Sequence, residues 1–245
     1  MKKDAAIISK IFKILLKEYS GQRWWPTTLK GSLYPSYHGK KNSKKQKFEI
    51  IIGAVLAQNT SWKNAEKAIY NLNRENLLDI GRLEKITEKK LAELIKPAGY
   101  YNQKAKKIKQ MIRFLMSGKP VDRKNLLSVW GVGRETADSI LLYAYDVPVF
   151  VIDAYTKRIF SRLGFCDEGC DYDELQKLFM DNLVAYKADH RSFNEYHALL
   201  VEHAKRHCRK TPECEGCPIK AYCRSKIDMR QKQINRAKRQ NKPKL

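Results

Sequence analysis

One pattern limits this chain more than any other: apolar residues recur at helical spacing in segment after segment, and Gly or Pro cuts the segments apart. Residues 4–19, DAAIISKIFKILLKEY, form an amphipathic first helix with Lys and Glu on the outer face. From Phe48 the pattern returns in FEIIIGAVLAQNT, WKNAEKAIYNLNRE, KKLAELIKPAG, NQKAKKIKQMIRFLM, LLSVW and RETADSILLYAY, and later in YDELQKLFMDNLVAY and SFNEYHALLVEHAKRHC. The one clear extended stretch, VPVFVID, is too short to found a sheet. Between the first helix and Phe48, QRWWPTT and LYPSYHGKKNSKKQK read as an irregular, exposed loop. The expected fold class is all-α.

Charge narrows the choice of partner. The chain carries 49 Lys and Arg against 26 Asp and Glu, a formal +23, far more than solubility requires, so a polyanion is expected. No apolar run reaches the ~20 residues of a spanning helix, and no charged start with an apolar core marks a secretory signal. Nucleic acid and acidic membrane both qualify as the polyanion, and a soluble, intracellular protein is the expectation. Residues 226–245 are basic and nearly devoid of apolar side chains, so that tail is expected to be disordered and to touch phosphates without choosing sequence.

In a reducing compartment six cysteines argue against a disulfide framework. Cys208, Cys214, Cys217 and Cys223 are spaced C-x5-C-x2-C-x5-C. A zinc site usually draws on two C-x2-C knuckles joined by a longer strap, whereas one central pair with two outlying cysteines suits a 4Fe-4S cluster better. Zinc remains the alternative, and free thiols the bland one. Arg206, Arg209, Lys210, Lys220 and Arg224 make the same loop a basic surface, so a cluster there can act as a staple as readily as a redox centre. Cys166 and Cys170, in the acidic FCDEGCDYDE, read as non-ligands.

In SVWGVGRETADSI, Gly131 and Gly133 allow backbone angles that other residues resist, and a helix starts just after them. Amides in a tight turn backed by a helix start make an anion site that reads phosphate and not bases, with Arg134 and Thr136 beside it. Many helix-helix turns contain glycine, so this motif alone decides little. Asp153 ends VPVFVID and precedes AYTKRIFSRLG, which suits a helix N-cap. A carboxylate fixed there is also placed to stabilise a sugar cation or activate water.

GVGRETAD, VFVIDAYTKRIFSRLG and the cysteine run, in this order, resemble the endonuclease III superfamily of DNA glycosylases. Upstream, WWP, FEIIIGAVLAQNTSW and PAGYYNQKAKKIK are more similar to its 3-methyladenine DNA glycosylase branch. The resemblance implies a two-lobed helix-hairpin-helix fold with a cleft between a six-helix barrel-like bundle (49–147) and an iron-sulfur lobe (1–48 plus 148–225). It makes Asp153 the catalytic residue, Gly131 and Gly133 the hairpin glycines, and Gln58 the filler of the gap left by an extruded base. The first cysteine gap is five where the common family spacing has six.

Bifunctional members of that family place a lysine where this chain has Glu135, and a glutamate cannot form a Schiff base. The expectation is therefore a monofunctional glycosylase that hydrolyses the N-glycosidic bond of alkylated bases in double-stranded DNA, acting as a cytoplasmic monomer associated with the nucleoid through DNA and without a membrane partner. Trp24, Trp25, Pro26, Phe48 and Glu135 are the expected base pocket, by analogy with the relatives, although WWP also suits packing of the first helix and Glu135 also suits a solvated first-turn acid. The alternatives are a bifunctional glycosylase and lyase for oxidised pyrimidines, and a non-catalytic module that binds damaged DNA.

Overall fold

The computed structural model describes residues 2–167, 169–184 and 189–225, which leaves the basic tail 226–245 outside the described residues. Of the described residues, those within Gln22–Val151 and Asp189–Glu195 form one compact unit, and those within Met1–Gly21, Ile152–Ala188 and Tyr196–Leu245 form the other. The stretch 22–48 thus belongs with the helices that follow it.

The first unit contains α2 (Lys44–Leu56), α3 (Trp62–Arg74), α4 (Ile80–Lys85), α5 (Glu88–Leu94), α6 (Tyr101–Met116), α7 (Arg123–Leu127) and α8 (Arg134–Tyr145). The apolar stripes of α2 to α6 meet in a core that includes Ile52, Val55, Ile69, Leu83, Leu91 and Ile108. Sequence set the starts well: Ser43 and Gln46 form a reciprocal capping box on α2, and Asp122 caps α7 through Asn125 N. The helix α4 is a departure from expectation, because Gly81 interrupts its pattern; Asp79 starts it by accepting from Arg82 N at 3.0 Å. Buried Lys104 donates to Leu56 O at 2.9 Å and Ala98 O at 2.7 Å, closing the end of α2 just before Gln58.

Two further expectations meet the structure here, one kept and one corrected. VPVFVID founds no sheet, as its length implied, and its Val and Ile content reflects burial of Phe150, Val151 and Ile152, with no strand paired to it among the described residues. The loop before Phe48 instead carries a short antiparallel pair, β1 (Thr27–Thr28) with β2 (Pro35–Ser36), and Trp25, Pro26 and Thr27 are buried. Glu49 anchors it, accepting from Thr28 N at 3.0 Å and Thr28 Oγ1 at 2.8 Å.

The second unit is built from α1 (Lys2–Tyr19), α9 (Ala154–Leu163), α10 (Tyr172–Val184) and the greater part of α11 (His190–Arg206). Its core is aromatic: Phe160 and Phe179 have ring centroids 4.4 Å apart, and Tyr196 lies 5.6 Å from Phe179 and 5.0 Å from Phe12. Tyr196 Oη donates to Ile8 O at 2.9 Å, so its one polar atom is satisfied on α1. This core fixes α9 against α11, and those two helices carry the chemistry described next.

Candidate functional site

The glycine turn lies between α7 and α8. Arg123 holds the two helices together with a forked contact to buried Asp138, 2.8 Å from Nε to Oδ1 and 3.2 Å from Nη2 to Oδ2. Gly131 has φ +83, and a Cβ there would meet Lys107 Cγ at 2.5 Å, so only glycine fits. Gly133 differs from expectation: its φ is −92, open to any residue, and a Cβ would meet nothing within 4 Å. Its value is access. Gly133 caps α8 without a side chain, so the first amides of a twelve-residue helix have no side-chain cap.

Arg134 and Glu135 stand exposed in the first turn of α8, whereas Thr136 is buried. Gln58 is folded onto this turn. Its Nε2 donates to Gly131 O at 3.0 Å and Thr136 Oγ1 at 2.9 Å, and its Oε1 accepts from Lys107 Nζ at 2.6 Å. Gln58 and Lys107 thus brace the hairpin, a role that spacing along the chain does not reveal.

Asp153 is the N-cap of α9, as its position implied, with Oδ1 accepting from Thr156 N at 2.7 Å. Oδ2 lies 3.6 Å from Nε2 of His197 on α11. The side chains are 12% and 5% exposed respectively. Burial pushes the Asp153 carboxyl up, but His197 and the Thr156 donors outweigh it and leave the group below its ordinary value. A buried yet ionised carboxylate is the result.

The five residues expected to form one base pocket divide. Trp24 and Trp25 line a cavity with Tyr143, Asp146 and Glu195. Tyr143 lies 6.2 Å and 5.1 Å from their rings, and Tyr37 stands 6.5 Å from Trp24. Asn194 Nδ2 donates to Trp24 O at 2.9 Å and fixes that backbone. Pro26 is buried beside Trp25 in the chain. Phe48 lines a different cavity with Leu78 and Tyr145, because Glu49, the next residue around α2, is the one turned to Thr28. Glu135 stands apart from the residues that line either cavity. Tyr143 was missed because it reads as one more core position of α8.

Cys208, Cys214, Cys217 and Cys223 line one cavity walled by Ile159, Leu163 and Ile219. Burial pushes the Cys217 thiol up to about 11, and the other three thiols add to that rise, which places all four within electrostatic reach. Among the described residues no three His, Cys, Asp or Glu side chains stand at metal-ligating positions. Four converging soft donors in an apolar wall nevertheless fit a tetrathiolate group. Arg162 Nη1 donates to Cys208 Sγ at 3.2 Å and Arg209 O at 2.7 Å, and Arg158 Nε donates to Cys208 O at 2.7 Å, so α9 carries this loop. Cys166 and Cys170, 2.8 Å apart at sulfur, line another cavity.

The order of hairpin, buried extended stretch and capping aspartate is shared with known proteins. The family profile described as HhH-GPD superfamily base excision DNA repair protein matches residues 52–184, more than half of the chain. The chain belongs to the HhH-GPD superfamily. As an HhH-GPD protein it is a base-excision repair DNA glycosylase. It is 46% identical over 233 residues to a Methanocaldococcus jannaschii protein that bears the name DNA repair glycosylase, covering 90% of this chain and 97% of that one. A crystal structure of Helicobacter pylori 3-methyladenine DNA glycosylase (MagIII) bound to 1,N6-ethenoadenine is similar with TM-score 0.64 and 30% identity, covering 83% of this chain and 97% of that one. A non-covalent endonuclease III–DNA complex shares the fold, with TM-score 0.73 at 23% identity, covering 92% and 98%. No helix among the described residues is long and apolar enough to cross a membrane.

Proposed function

We propose that this HhH-GPD glycosylase is monofunctional and releases alkylated, 3-methyladenine-like bases from duplex DNA by hydrolysis. The observation that carries the reading is Glu135, exposed in the first turn of α8 two residues after Gly133, where a lyase of this family carries its lysine. Nearby amines are engaged elsewhere: Lys107 Nζ is held by Gln58, and Lys157 Nζ donates to Cys170 O at 2.8 Å. With no amine to attack the sugar, water is the nucleophile. Asp153, buried and ionised, stabilises positive charge at C1′ and accepts the proton of that water.

Substrate follows from the leaving group. A base methylated on a ring nitrogen carries positive charge and departs neutral, so it needs little acid catalysis. The rings of Trp24, Trp25 and Tyr143 suit a flat cationic base by stacking, on a wall that carries Arg23, Lys40, Lys41 and Arg191 as well as Asp146 and Glu195, and a 3-methyladenine glycosylase from Helicobacter pylori is among the similar structures. Stacking of this kind contributes ~1–3 kcal/mol per base, enough to select among bases. The α8 amides, with Arg134, hold a phosphate. Cys208, Cys214, Cys217 and Cys223 would hold a 4Fe-4S cluster, or zinc by the same thiols, and the bound group supplies a rigid centre that shapes the basic loop. The protein acts as a monomer.

A Schiff-base lyase is the second reading, and one observation favours it: burial lowers Lys104 to about 8. Against that, Lys104 is 2% exposed and bound to two carbonyls. Incubation with dimethyl-sulfate-treated DNA and with DNA containing oxidised pyrimidines, followed by mass spectrometry of free bases, tests the proposal. Methylated purines are expected, and borohydride is expected to trap no protein-DNA adduct. An adduct, or release of oxidised pyrimidines alone, would overturn it.

A further inference from the structure

The geometry points to His197 as a positioning residue for Asp153, holding Oδ2 while the start of α9 holds Oδ1. Resting on the glycosylase reading above, this inference gives that reading's carboxylate a second support, from a different helix. An N-cap bond fixes only one oxygen. Oδ1 accepts from Thr156 N at 2.7 Å, and with that contact alone the carboxylate plane still turns about the Cβ–Cγ bond. His197 Nε2 stands 3.6 Å from Oδ2, just beyond hydrogen-bond length, and a closure of a few tenths of an ångström would make the contact a hydrogen bond and remove that freedom.

The support is itself rigid. His197 is 4% exposed and sits one residue after Tyr196, which is fully buried and tied to α1 through Ile8 O. On the approach to Asp153, Tyr172 of α10 meets the backbone, its Oη lying 3.4 Å from Ile152 N. The groups that face the carboxylate are thus the Thr156 donors of α9 and the imidazole of α11, while Tyr172 of α10 contacts the neighbouring backbone at Ile152. Two contacts from two helices define one carboxylate orientation, as a reaction at a single sugar carbon requires.

The test compares wild type with His197→Leu, His197→Gln and Asp153→Asn in the full-length protein. Single-turnover release of methylated purines from dimethyl-sulfate-treated duplex DNA is measured with the affinity for that DNA. In parallel, carbon-13 NMR follows the Asp153 carboxyl against pH, a readout that needs no substrate. For His197→Leu we expect a rate loss of about 10²-fold at unchanged affinity, with the Asp153 carboxyl titrating at higher pH. His197→Gln, which keeps a donor near Oδ2, is expected to recover much of the rate and also covers the case in which the leucine variant fails to fold. Wild-type rates and an unmoved Asp153 titration in both His197 variants, with Asp153→Asn inactive, would overturn the positioning role and leave the glycosylase reading intact. Full activity of Asp153→Asn would instead remove the reading itself.

Discussion

Two helix starts in this molecule solve the same physical problem in opposite ways. The first turn of any helix leaves amides without intrahelical partners. At α8 the cap is Gly133, which brings no side chain and has open space where a Cβ would stand. At α9 the cap is Asp153, whose own carboxylate occupies the amides. One start has no side-chain cap, and the other uses the Thr156 amide to keep a charge that belongs to the protein. The difference shows how a local motif is assigned to binding or to chemistry by a single residue at the cap.

The largest effect should come from removing the resident charge. Asp153→Asn is expected to cut base release by about 10²–10⁴-fold in single-turnover assays while the affinity for damaged duplex changes little. The next comparison sets Asp153 against Glu49, a carboxylate buried with two Thr28 donors but no imidazole. Burial there outweighs the donors and carries Glu49 from 4.5 up to about 7. The folded state therefore keeps a proton that the unfolded state has released, and stability falls as pH rises across that window, by about 3 kcal/mol for this group. Urea midpoints at pH 5 and pH 8 should show the fall in wild type and a flatter profile in Glu49→Gln.

Exchanging the two styles of cap gives a smaller effect. Gly133→Asp fills the open start of α8 with a charge of its own and is expected to weaken binding to undamaged duplex about tenfold, while altering stability by a few tenths of a kcal/mol. Binding left at the wild-type level would mean that the α8 amides do not face phosphate. Arg134→Ala should have the least effect, lowering the dependence of log affinity on log salt by about one unit without changing which base is released.

Both helix starts were legible in the sequence because each is local: a glycine pair before an amphipathic run, and an aspartate before another. The cysteine quartet was legible for the same reason, and helical spacing gave the all-α class. His197 was not, since within EYHALLVEH it occupies an ordinary place on the inner face of a helix and nothing nearby names its partner. Gln58, which the resemblance made the filler of the gap left by an extruded base, makes three bonds that lead to the hairpin and Lys107, and no local pattern announces them. Phe48 and Trp24 look like one aromatic set in the sequence, and the turn of α2 sends them to different cavities. Long-range pairing decides all three.

The helix α9 is ten residues long, about 15 Å from end to end, with the acid at its beginning and Arg162 near its close. Arg158 and Arg162 grip the thiol loop through the carbonyl oxygens of Cys208, Arg209 and Lys210, and Arg162 also meets sulfur, its Nη1 at Cys208 Sγ and its carbonyl oxygen at Cys223 Sγ. The two ends of this strut are therefore separable: a loop without cysteines that offered backbone oxygens to the same two arginines would hold α9, and Asp153 with it, in place.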